Sequence, residues 1–369
     1  MSFEGVSHAG LGDLWNAATE NLPWDGTFEA LLPLHRFEVM DQWLTKDKIK
    51  STGGTQISRR VVYRENGSFE WIQPAAVRTP AMIDTTVKIT APFVGGYSSY
   101  TITDVEIAEC AGPAKLIEIA KLKRVPAKLD MAVNLEGRAW QSPDSATDED
   151  HPRGVPYYIT PILAADAAGG HNGGNPYYTD ATQASDCSGV DSAVYTRWVN
   201  YNDRWTNVTA TITQEDAKNV GKMFRRLHWS SPKNVTELTQ AKYDKLRMYA
   251  CEAVIDNWSE FVRGQNDQIG ADGAKFYGAG ISGTGEPTVK GFPLRWIEEL
   301  DDDSTLPLYM INHDHFLPVF DRNCYFKDTG QYNDRWQPDV WTNYTDIRFN
   351  FLCDNRQLAG GVISYVEAA

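Results

Sequence analysis

The chain, 369 residues long, predicts an α+β fold. Three observations point to it: runs that alternate apolar and polar residues, separate runs with apolar residues at helical spacing, and Gly/Pro/Asp-rich stretches that divide them. With 42% hydrophobic and 12% aromatic residues, the composition supplies substantial cores. The length suits roughly two or three domains.

Residues 1–50 hold two short helix candidates, Leu11–Glu20 and Glu38–Leu44, the second followed by the basic run KDKIK. Their apolar content is too low to close a core, so the segment reads as an arm. Residues 51–80 change to period two. TQISRRVVYRENGSFEWIQPAAV reads as two strands around Glu65-Asn66-Gly67-Ser68, where Asn-Gly is a strong tight-hairpin signal. The first strand carries Arg59, Arg60 and Arg64, the second Phe69 and Trp71. A hairpin of this kind has little stability alone and must lie on the rest of the chain or on a neighbour. Thr85–Ile89 continues the alternation, Gly95-Gly96 is expected to break it, and Tyr100–Ile102 resumes it.

Over 105–140 the spacing becomes helical through Leu116, Ile119, Ala120, Leu129, Ala132 and Leu135, the longest helix candidate in the chain. Pro113 suits a first helical turn, whereas Pro126 is expected to kink the helix. Residues 141–187 are rich in Gly, Pro, Asp and Ser and read as a boundary with long surface loops. Beyond Ser188 strands and helices alternate. Trp198 precedes strand-like Val208–Ile212. Thr213 is an N-cap for a helix over Gln214–Leu227, with Asp216 completing the aspartate form of a capping box. Lys242–Val262 predicts a second helix, 275–297 short strands between glycines, and Thr342–Val366 further strand. No internal repeat of fixed period is present.

Several function classes fall away. No run of about 18 apolar residues exists to span a membrane, and MSFEGVSHAGLGDLW lacks the basic and apolar regions of a signal peptide, so the protein is expected to stay where it is made. Five widely spaced cysteines without a CxxC read as free thiols in a reducing compartment. A net charge of −14 opposes general nucleic-acid binding. Twelve tryptophans and seventeen tyrosines read as large cores and interfaces before they read as sugar platforms.

The chemical motifs each have a plainer explanation. His313 and His315, in PLYMINHDHFLP, would share one face of a strand, but a metal needs a third ligand, for which Asp302 and Asp321 are the candidates. The flanks read instead as a buried strand, Leu308–Ile311, ending in a polar turn, Asn312–His315, whose histidines could titrate near neutral pH. GAGISGTGEP lacks the Gly-Lys-Ser/Thr ending of a phosphate loop. ASDCSG has no placed histidine base and no nucleophile elbow. The acidic runs at 148–150, 298–299 and 301–303 sit in polar loops, not as facing carboxylates across a cleft. No enzyme activity, cofactor or metal is assigned.

The order of elements carries more. GGTQISRRVVYRENGSFEWI resembles the extended E-loop of tailed-bacteriophage major capsid proteins with the Hong Kong 97 phage capsid fold. Pro113–Gln141 resembles their spine helix, and VYTRWVNYNDRW their aromatic, Arg-rich segment before the axial domain. VKGFPLRWIEELDDDSTLPLYMINHDHF resembles their Gly-x-Pro strand, acidic turn and Tyr-x-x-Asn, and DIRFNFLCDNRQLAGGVIS their closing strand with Cys-x-Asn-Arg. Together these cover most of 50–365.

The resemblance implies an N-terminal arm over 1–48, an E-loop hairpin over 49–84, a peripheral domain over 85–150 and 335–369, and an axial domain over 151–334. It further implies a structural protein of the virion, made in the host cytoplasm. Such a protein forms hexamers and pentamers with itself, meets a scaffolding protein, a portal and decoration proteins, and encloses double-stranded DNA that it touches weakly. Under it, Arg59, Arg60, Arg64, Phe69 and Trp71 become intersubunit contact candidates and Gly53, Gly54, Gly95 and Gly96 hinge candidates. The hairpin tip has no lysine for the subunit crosslink of some relatives. An encapsulin-type compartment shares the fold, and a glycan-binding or hydrolysing protein is the alternative of another class.

Overall fold

The structure is a computed structural model. It describes residues 37–51, 53–73, 83–109, 113–164, 166–177, 186–207, 212–228, 245–269, 279–281, 287–334 and 337–366. The helix predicted over Leu11–Glu20 lies outside them, as does most of Val208–Ile212.

Two sheets organise the described residues. In the smaller, the long strand Gln337–Cys353 pairs antiparallel with Val94–Thr103. It also pairs with Phe316–Asp321 at its C-terminal end and with Lys327–Asp334 at its N-terminal end. Ile49–Ser51 adds a parallel edge on Phe316–Asp321. The 27-residue helix Pro113–Ala139 lies against Val94–Thr103, packing Ala120 over Tyr100 and Ile102. Ion pairs from Lys123 to Glu106 (2.6 Å) and Arg124 to Asp328 (2.5 Å) fix the helix to its surroundings.

The helix runs unbroken through Pro126, whose missing N–H costs a hydrogen bond to the Leu122 carbonyl, and Leu122 lies at the surface. The break expected at Gly95-Gly96 is absent. Both glycines pair within the strand, opposite Arg348 and Ile347, because the ladder needs only backbone groups. A Cβ at Gly96 would press against the Ile347 side chain at 3.3 Å.

The larger sheet runs, in spatial order, Ala279–Ile281, Pro287–Val289, Phe292–Trp296, Leu246–Ala250, Leu308–Asn312, Gly360–Ser364, Asn200–Arg204 and Gly170–Gly173. Helices Gln214–Leu227 and Glu252–Ile269 pack on it. The capping box forms as expected: Thr213 N donates to Asp216 Oδ2 at 2.8 Å while Asp216 N donates to Thr213 Oγ1 at 3.3 Å.

One predicted helix is half strand. Lys242–Val262 divides into the strand Leu246–Ala250 and a helix that starts at Glu252. The strand is central, with neighbours on both edges, and buries residues of both faces, so Leu246, Met248, Tyr249 and Ala250 show no alternation to read.

His313–His315 is the turn between the sheets: Leu308–Asn312 belongs to the larger and Phe316–Asp321 to the smaller. Gly360–Ser364 then returns the chain to the larger sheet, so sheet membership changes at 313–315 and again near 355. Local alternation cannot reveal which sheet a strand joins.

The segment expected to be an arm ends inside the core. Val39–Trp43 and Leu44–Lys46 are helical, and Trp43 is fully buried. Its ring centroid lies 5.1 Å from Trp140 at the end of the long helix and 5.8 Å from Tyr249 in the larger sheet. It also lies 5.0 Å from His313 in the turn, and 5.7 and 5.9 Å from Phe316 and Phe351 in the smaller sheet. One indole therefore joins three structural units.

Candidate functional site

The hairpin is built differently from its sequence signal. Gln56–Val62 pairs not with the run after Asn66-Gly67 but with Thr86–Pro92, in register from Gln56 opposite Pro92 to Val62 opposite Thr86. Phe69–Gln73 belongs to no strand, and 74–82 lie outside the described residues. At Asn66-Gly67 the chain forms no turn and no ladder; Gly67 has φ +64° and Asn66 Nδ2 donates to Ser68 Oγ at 3.0 Å. The hydrophobic face of the strands, not the dipeptide, decides which segments pair. That face is Ile57 with Ile89 and Ala91, all buried.

The tip is positioned by contacts at its base. Tyr63 meets Tyr195 edge to face at 4.8 Å. Tyr63 Oη and the Arg64 guanidinium donate to the Asp84 carbonyl across the loop. Glu65 forms a two-armed ion pair with Arg197, at 2.8 and 2.9 Å, and those hydrogen bonds hold its carboxyl below the usual range. Beyond this base the chain presents Phe69 at 77% exposure and Trp71 at 92%, packed edge to face on each other at 5.2 Å. Ile72 is 46% exposed beside them. Exposed apolar surface of this kind marks interaction sites.

The three arginines divide. Arg59 is spent within the chain on an ion pair with Asp354, and Arg64 on the Asp84 carbonyl. Arg60 is exposed and points to the opposite face. Gly53 and Gly54, at φ +110° and +124°, link the edge strand Ile49–Ser51 to the hairpin in a conformation that L side chains rarely adopt. Gly95 and Gly96 sit in a paired ten-residue strand, an unsuitable place for a hinge.

The chemical candidates resolve into structure. Among the described residues no three His, Cys, Asp or Glu side chains are grouped to hold a metal ion. His313 is fully buried in the turn, its Nε2 3.3 Å from Tyr249 Oη and its Nδ1 4.0 Å from Asp47. Burial, with Arg247, Lys245 and Arg295 nearby, drives its pKa well below the ordinary value, and burial lowers His315 too. Both histidines of the turn are buried. Cys187 is buried, which raises its thiol pKa and keeps it protonated. Asp301 accepts from the Glu252 amide and Trp296 Nε1, and Asp303 from Thr305, so both serve the turns they sit in.

Sequence reasoning missed Arg356. It is fully buried with no carboxylate; Nε donates to the Tyr158 carbonyl (2.9 Å), Nη1 to Gly174 and Trp198 carbonyls (3.1 and 3.0 Å), and Nη2 to Asn200 Oδ1 (3.2 Å). Asn355 caps the short helix Arg356–Ala359 that holds it. Its neighbours Asp354, Asn355 and Gln357 are polar too, so nothing local set it apart.

No family model and no curated protein matches the sequence. Solved structures do match, over nearly the whole chain. The cyanophage A-1(L) capsid asymmetric unit superposes with a TM-score of 0.56 at 10% identity, covering 93% of this chain and 96% of the other. The capsid of a native GTA particle gives 0.53 at 10% identity, covering 94% and 96%. The capsid of Myoviridae phage XM1 gives 0.51 at 8% identity, covering 99% and 100%. The chain has the Hong Kong 97 phage capsid fold. At these identities the likeness is one of backbone, and side-chain roles are this chain's own.

Proposed function

We propose that this protein is the major capsid protein of a tailed phage, a structural protein and not an enzyme, that assembles with itself into hexamers and pentamers of an icosahedral head. The observation that carries the reading is the E-loop. Its base is tied down by Tyr63, Arg64 and Glu65, yet it holds Phe69 and Trp71 out in solvent. A lone subunit gains nothing from that arrangement. A neighbouring subunit that buries the pair gains an aromatic anchor of the kind that dominates interface energies. The shared fold over both chain lengths supports it.

On this reading the smaller sheet with the spine helix is the peripheral domain and the larger sheet the axial domain. Gly53-Gly54 is the joint that lets one E-loop serve five-fold and six-fold rings. The acidic chain encloses double-stranded DNA without gripping it, since surfaces poor in free cations release few counterions. A scaffolding protein, a portal and decoration proteins are the partners of such a head, and the virion its location. Negative-stain microscopy of the purified protein, with and without co-expressed scaffolding protein, tests the reading. Closed shells of megadalton mass are expected; a protein that stays monomeric under every assembly condition overturns it.

A further inference from the structure

The E-loop ladder has two faces. Ile57, Arg59 and Val61 with Val87, Ile89 and Ala91 face the body, and Ser58, Arg60 and Val62 with Thr86, Lys88 and Thr90 face away. In the antiparallel register Arg60 lies directly opposite Lys88, and both are exposed. Like charges opposed in this way repel across the ladder. An opposite charge in either position would stabilise the ladder instead. Among the described residues neither cation has an anionic partner, whereas Arg59, Arg124, Arg197 and Lys123 all do.

We propose that Arg60 and Lys88 form a two-cation clamp that closes on a carboxylate of a second copy of this chain. The proposal rests on the reading of the E-loop as an intersubunit element and deepens it by adding Lys88 and naming the partner's chemistry. One carboxylate bridging the two cations adds two attractions that outweigh their mutual repulsion, which stands uncompensated in the undocked hairpin. The chain supplies the partner: it carries 49 acidic against 35 basic residues, so each copy presents carboxylates. Phosphates would also suit two cations. The same outward face, however, carries Val62 at 65% exposure, and the same loop carries Phe69 and Trp71. Apolar and aromatic area beside charge belongs to a protein interface, not to a phosphate track.

Carbodiimide treatment of assembled particles is the direct test, because it joins a lysine amine to a carboxylate in contact with it, with loss of one water. Particles grown from equal parts of isotope-labelled and unlabelled subunits should yield mixed-label peptides joining Lys88 to an aspartate or glutamate. In parallel, Lys88→Glu should leave the melting temperature of the unassembled subunit unchanged or higher, since it removes the repulsion. The same change should raise the subunit concentration needed for assembly about tenfold and flatten its dependence on salt. Particles without intersubunit Lys88 crosslinks, whose assembly ignores Lys88→Glu, overturn the clamp and leave the shell reading standing. Loss of salt-sensitive duplex DNA binding in Lys88→Glu, with assembly untouched, overturns it in favour of phosphate. Wild-type subunits that never associate overturn both.

Discussion

Trp43 and Trp71 are the same residue in opposite circumstances. Trp43 sits at the end of a polar N-terminal segment and is fully buried among five rings; Trp71 sits in a strand-rich hairpin and is 92% exposed with one ring for a neighbour. The first ties both sheets to the long helix. The second is held in solvent, where the proposed assembly would use it. Burial thus separates a residue that makes the fold from one proposed to make the assembly; the sequence marked Trp71 as a contact candidate and gave no sign of Trp43's burial.

The largest test of this contrast is Trp43→Ala. Removing a core indole shared by three units should cost about 3–5 kcal/mol of subunit stability, read by denaturant unfolding of the unassembled protein. Arg356→Met should come close, at roughly 3 kcal/mol, since it removes the donors to three main-chain carbonyls and to Asn200 Oδ1; little change would mean that the Cys-x-Asn-Arg segment is not a structural tie. Trp71→Ala should leave unfolding within about 0.5 kcal/mol of wild type. Its cost should fall on assembly instead, at about 2 kcal/mol per contact.

Smaller effects come from pH. The buried Glu136 carboxyl accepts from the Val39 amide and Trp140 Nε1 at the root of the N-terminal segment. Burial, with Glu38 close by, raises its pKa from 4.5 to about 7. The folded state therefore binds this proton more tightly than the unfolded chain, and the resulting stability is full below about 4.5 and lost as pH rises through 7. Glu136→Gln should flatten that alkaline side. His313 acts in the opposite sense: its folded pKa is depressed, so its contribution is present above the ordinary histidine value and lost as pH falls. His313→Gln should flatten the acid side, and a wild-type pH profile unchanged by both substitutions would contradict the assigned environments.

How far the sequence was legible follows from the physics of each part. Thr213 and Asp216 signal their helix locally and form the box as read. The spine helix shows its period because one face is buried. The strand Leu246–Ala250 hides because both faces are, and the true partner of Gln56–Val62 hides because pairing is decided by burial about thirty residues downstream, while Asn66-Gly67 signals a nearer turn that does not form. Phe69 and Trp71 were legible as candidates. Trp43, Arg356 and Lys88 were not, since each acquires meaning only from residues distant in sequence.

Velocity sedimentation of wild type beside Phe69→Ala/Trp71→Ala addresses the central claim most directly. The account predicts megadalton particles for the wild type and free subunits for the double variant, with the same melting temperature for both unassembled proteins. Particles of equal size and yield from the double variant would contradict it.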